Sequence, residues 1–116
     1  MTPLPPTSRL IACLCAEWCG TCRDWRALFD EVTARHPGAR VRWIDIEDEA
    51  DLVGDIDVET FPTVLVVDGG ERVRFFGPLL PHAQTLARLL DSLEPGGADQ
   101  AVDGEVKALA RRLAAG

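Results

Sequence analysis

The stretch "CLCAEWCGTC", residues 13–22, holds all four cysteines of this 116-residue chain. Thiols this close together support three chemistries: a metal cage, a structural disulfide, or reversible thiol–disulfide exchange. Exchange needs a thiolate that attacks and a second thiol that releases the substrate. Cys19 and Cys22, separated by Gly20 and Thr21, offer such a pair. Helical periodicity begins at Cys19, so Cys22 lies one turn further on. Unpaired backbone N–H groups and the helix dipole then converge on Cys19 and favour its thiolate. Cys19 is expected to attack and Cys22 to resolve the mixed disulfide. The metal alternative is a four-thiolate zinc or iron–sulfur site from Cys13, Cys15, Cys19 and Cys22. It requires strand, junction and helix to converge on one point.

The elements that must position these thiols follow from the hydrophobic pattern. "RLIACLCA" (9–16) is a nearly continuous apolar run, the pattern of a central parallel strand buried on both faces. Within it, Cys13 and Cys15 read as small buried hydrophobes that share a face if the strand is regular. From Cys19 onward, Cys22, Trp25, Phe29 and Val32 form one helical face, opposite Arg23, Asp24, Arg26 and Asp30, and "HPG" (36–38) ends the helix. "RVRWIDI" (40–46) predicts a second strand, and "EDEADLVGDI" (47–56) a short acidic helix. "TVLVV" (63–67) predicts a buried strand, and "ERVRFFG" (71–77) its antiparallel partner at a sheet edge.

"PHAQTLARLLDSL" (81–93) predicts an amphipathic helix with Leu86, Leu89, Leu90 and Leu93 inward. The domain organisation expected is an extended arm over 1–8, a domain over 9–93, a linker over 94–100 and a C-terminal helix over 101–116. That helix carries Val106, Leu109 and Leu113 on one stripe. The element order makes an α/β layer fold with a mixed sheet flanked by helices.

Composition narrows the function. Apolar residues at 47% and charged residues at 27% fit one soluble domain. The net charge of −7 argues against nucleic acid as a partner, because no basic stripe could neutralise phosphates. Lys107 is the only lysine and no apolar run is long enough to cross a bilayer, so no membrane partner is expected. The N-terminus lacks a positive region followed by an apolar one, which leads us to expect a cytoplasmic protein. Structural disulfides are rare there, which disfavours the staple.

"AEWCGTC" opening a helix after a buried strand, with "TFPT" (60–63) opening a later one, resembles the thioredoxin family over about residues 9–93. The resemblance implies a minimal thioredoxin fold that lacks the first strand and helix and carries an extra C-terminal helix. It implies a protein-disulfide reductase that exchanges a Cys19/Cys22 dithiol with disulfides of protein substrates. Its electrons would come from a thioredoxin reductase, with no organic or metal cofactor.

Residue by residue, Trp18 corresponds to the ring beside the nucleophile, Cys19 and Cys22 to the redox pair, and Gly20 and Thr21 to the residues between them. Pro62 corresponds to the cis-proline, Phe61 before it to the residue whose backbone pairs with an extended substrate, and Gly77 to the glycine that leaves room for it. Thr21 stands where the family usually has proline, which restores a backbone N–H near Cys19. Cys13 stands where the family buries an aspartate, and Trp43 where it has the lysine partner; Cys13 is thus a modulating position without a general base. A non-catalytic thioredoxin-like binding module is the competing class, and the intact Cys19 and Cys22 speak against it.

Overall fold

Residues 10–16 are buried along their whole length, as a strand with layers packed on both faces must be. The computed structural model describes residues 9–16, 20–54, 56, 62–69, 72–94 and 97–115; the arm expected over 1–8 lies outside them. The described strands are β1 (Arg9–Cys15), β2 (Ala39–Asp45), β3 (Thr63–Asp68) and β4 (Arg72–Pro78). They form one sheet of order β2-β1-β3-β4. β1 and β2 are parallel and are connected through helix α1 (Gly20–Thr33), whereas β1–β3 and β3–β4 are antiparallel. The sheet is therefore mixed, as expected.

The period-two alternation of β1 divides the core. Ile11, Cys13 and Cys15 face α1 and α3 (Ala83–Ser92), packing against Trp25, Phe29, Val32, Leu86 and Leu90. Leu10, Ala12 and Leu14 face the other way, against Val53 of α2 (Ala50–Val53) and Val106, Leu109, Ala110 and Leu113 of α4 (Gly104–Ala115). α2 is a single turn and cannot cover that face alone. The apolar stripe of α4 completes the layer, and Leu109, Ala110 and Leu113 have no exposed surface. The Asp103 Oδ1 accepts from the Val106 N–H at 3.1 Å and starts this helix as an N-cap.

One expectation is corrected. The acidic helix over 47–56 shrinks to α2. Asp45 Oδ1 accepts from the N–H groups of Glu47 (2.8 Å) and Asp48 (3.1 Å), which holds a turn where helix was expected. Gly54, at φ 68°, then ends α2 in a conformation that costs glycine least. The described part of the expected linker, 97–100, is a strap laid along the outer edge of β4.

Arg72 reaches Gly97 O (2.6 Å) and Asp99 (2.9 Å), and Arg74 reaches Ala98 O (3.1 Å). The Gln100 N–H donates to Val73 O at 2.8 Å, while the Gln100 amide pairs with both the N–H (3.2 Å) and the carbonyl (2.8 Å) of Phe76. The strap thereby occupies hydrogen-bonding groups of an edge strand that would otherwise be open to another chain. Among the described residues, no helix is long and apolar enough to cross a membrane.

Candidate active site

The site forms where β1 ends and α1 begins. Because β1 alternates regularly, Cys13 and Cys15 share the face that α1 covers, and their sulfurs lie 3.7 Å apart. On α1, Cys22, Trp25, Phe29 and Val32 point at the same face through helical spacing, and all four are buried. Cys22 in the first turn therefore meets Cys15 at the end of β1. The two are joined by a disulfide, with Cα atoms 5.8 Å apart, inside the usual range for such a bond. The reading of Cys15 as only a small buried hydrophobe is corrected: it is buried and covalently bonded. The signal in the sequence was its place two residues after Cys13, on the strand face that the Cys22 stripe covers.

Cys13 keeps a free thiol with no exposed surface. Burial pushes its pKa up to about 12, opposed only in part by the Trp25 indole N–H. That N–H does not reach hydrogen-bond geometry, and the buried Trp25 Nε1 has no hydrogen-bond partner among the described residues. Opposite Cys13 on β2 stands Trp43, half-buried, edge-on to Phe29 at 5.7 Å between ring centroids and with the Arg26 guanidinium 5.2 Å from its own centroid.

The sheet register brings Pro62 and Gly77 to the same end. Leu14 pairs with Thr63, so Pro62, buried just before β3, follows on beside the Cys15 end of β1. Thr63 pairs with Pro78 and Val64 with Gly77, and the Leu79 N–H donates to Pro62 O at 3.0 Å. A Cβ on Gly77 would meet only the Phe75 ring, at 3.6 Å, which is ordinary contact. Gly20 and Thr21 open α1. Trp18, Cys19 and Phe61 lie outside the described residues.

A cleft of about 450 Å³ adjoins Cys22, lined by Ala16, Arg23, Arg26, Trp43, Asp45, Asp48 and Glu49. Its mixed charges come from the exposed side of α1, from Asp45 at the end of β2 and from the turn that follows. Among the described residues, no group of three or more His, Cys, Asp or Glu side chains is placed to hold a metal ion.

The geometry agrees with the comparisons to known proteins. The family model for thioredoxin matches residues 6–92, three quarters of the chain. The chain belongs to the thioredoxin family. Among its relatives, an H-type thioredoxin from Picea mariana is 32% identical over 68 residues, covering 58% of this chain and 54% of the relative. A mitochondrial thioredoxin from Bos taurus is 36% identical over 62 residues, covering 53% of this chain and 37% of the relative. The chain spans about half the length of the curated relatives it matches, 54% and 52% for two H-type thioredoxins. A solved thioredoxin from Plasmodium falciparum superposes with a TM-score of 0.65 at 17% identity, over 76% of this chain and 84% of that one. At that identity the likeness shows the thioredoxin fold, which this chain shares.

Proposed function

We propose that the protein is a thiol–disulfide oxidoreductase that reduces disulfides of protein substrates through Cys19 and Cys22. The observation that carries this reading is Cys22 itself. It is buried in the first turn of α1, within bonding reach of another cysteine, in a chain whose family match spans residues 6–92. In this reading the Cys19 thiolate attacks a substrate sulfur and expels the other substrate sulfur as a thiolate. The Cys22 thiolate then attacks the Cys19 sulfur and releases the substrate. Cys13 cannot act as base for the Cys22 proton, because its own thiol is held neutral by burial. A thioredoxin reductase is the electron donor this chemistry implies, and the cytoplasm the compartment it suits.

The test is insulin reduction in the presence of dithiothreitol. Cys19→Ser is expected to abolish turnover, whereas Cys22→Ser loses turnover but accumulates stable mixed disulfides. Adducts on Cys19→Ser and none on Cys22→Ser would reverse the roles.

A further inference from the structure

Cys22 has two candidate partners, one given by sequence spacing and one by the fold. One is Cys19, three residues before it; the other is Cys15, bonded to it in the structure. We propose that Cys15 is the third thiol of an intramolecular relay that moves the disulfide from Cys19–Cys22 to a buried Cys15–Cys22 bond. The relay rests on the oxidoreductase reading above.

The step is a thiol–disulfide exchange that needs no external oxidant. After one turnover the dithiol has become a Cys19–Cys22 disulfide, and the substrate disulfide has become two thiols. The Cys15 thiolate attacks the Cys22 sulfur, the Cys15–Cys22 bond forms, the Cys19–Cys22 bond breaks, and Cys19 leaves as a thiolate. A proton lost from Cys15 is balanced by one gained at Cys19, and the protein remains oxidised by two electrons throughout.

Three observations support it. β1 delivers Cys15 to the end of the strand on the face covered by α1, and the Cα separation of 5.8 Å lets the bond form between the two elements as they stand. Cys15 and Cys22 are each only 1% exposed, so the disulfide is stored away from solvent and from external thiols. Cys13 lies 3.7 Å from the Cys15 sulfur and keeps a free thiol, so the strand face that carries Cys15 places no carboxylate at that position to repel the exchanging sulfurs. The outcome is an oxidised protein whose Cys19 is free again. It can capture a substrate as a mixed disulfide, but it cannot release it through Cys22 until the buried bond is reduced.

Proteolysis distinguishes the two bonds, because cleavage after Arg9, Glu17 and Arg23 separates residues 10–17, with Cys13 and Cys15, from residues 18–23, with Cys19 and Cys22. Reduced wild-type protein is reacted with insulin, quenched in acid over time, blocked with N-ethylmaleimide and digested for mass spectrometry. The expected series begins with residues 18–23 carrying an internal disulfide. These then convert to a form joined to residues 10–17, with the maleimide on Cys13 and Cys19. In Cys15→Ser and Cys15→Ala, the joined form is lost and the internal disulfide persists. A wild-type product that stays unjoined overturns the relay, as does a joined form that survives in both variants. Insulin turnover, followed in parallel, separates the two claims. Turnover without joining refutes the relay alone, whereas joining without turnover refutes the oxidoreductase reading and the relay with it.

Discussion

The Asp68 carboxylate at the end of β3 accepts a 2.5 Å hydrogen bond from Arg74 Nη1, and both side chains are almost wholly buried. Arg74 is buried because of a bulge: Val66 pairs with Phe75 and Val67 with Val73, which leaves Arg74 unpaired in the ladder. Directly across β1, Arg9 forks onto the same carboxylate at 2.8 and 3.0 Å and also donates to Leu93 O, at the end of α3, at 2.6 Å. One carboxylate thus ties β1, β3 and β4 to the last turn of α3 and, through Arg74, to the strap.

Acid should loosen this junction. Burial by itself raises the Asp68 pKa, but the hydrogen bonds and charges of Arg9 and Arg74 outweigh it, and the net shift is downward. A carboxyl whose pKa is lower when folded than when unfolded contributes stability above the unfolded value, about 3.9. That contribution is lost as pH falls through the folded value. Asp68→Asn strands two arginines and is expected to cost about 3 kcal/mol at pH 7. The gap between wild type and variant should narrow below about pH 4. Urea melts across pH 2–7 check this, and a gap that stays constant would contradict it.

The C-terminal helix should be part of the cooperative unit. Leu109→Ala opens a cavity in the face shared with Leu14 and Leu65, at a cost of about 3 kcal/mol. Deleting residues 97–116 removes the strap and α4 together, and is expected to expose the edge of β4 and the face beneath α4. Light scattering and thermal melts check it; a truncated protein with unchanged melting temperature and no self-association would show that α4 holds nothing together.

Cys13 should be inert toward alkylation in the folded protein. With its pKa near 12, almost none is thiolate at pH 8. After full reduction, mass spectrometry should find Cys13 unmodified by iodoacetamide until denaturant is added. Rapid native labelling at Cys13 would mean that β1 opens locally.

Cys13→Asp should restore a base and add a charge. A carboxylate beside the Cys15 sulfur, in the cluster that also holds Cys22, disfavours nearby thiolates, so Cys19 is expected to titrate at higher pH. Release of the mixed disulfide should quicken by at least about tenfold, since the carboxylate can take the Cys22 proton. Thiol alkylation against pH and single-turnover release measure both effects, and a Cys19 titration that does not rise would refute the charge argument.

Local pattern determined the elements, because periodicity acts over a few residues. The continuous apolar run over 9–16 specified a strand with two covered faces, the stripe Cys22, Trp25, Phe29 and Val32 specified which side of α1 is buried, and "AEWCGTC" with "TFPT" carried the family. Partners that meet across the fold were another matter. Cys15 met Cys22 rather than serving only as filling, because the β1 register and the α1 packing brought two residues seven apart onto one face. Arg74 is buried beside a bulge that no run of residues announces. The arginines look alike in sequence, yet Arg9 ends on the last carbonyls of α3, Arg112 donates to the Leu52 carbonyl of α2 at 2.9 Å, and Arg40 to Ala114 O of α4 at 3.3 Å. Such long side chains find their acceptors only once the helices have packed. Composition and spacing reveal which groups the chain carries, and tertiary contact decides which of them meet.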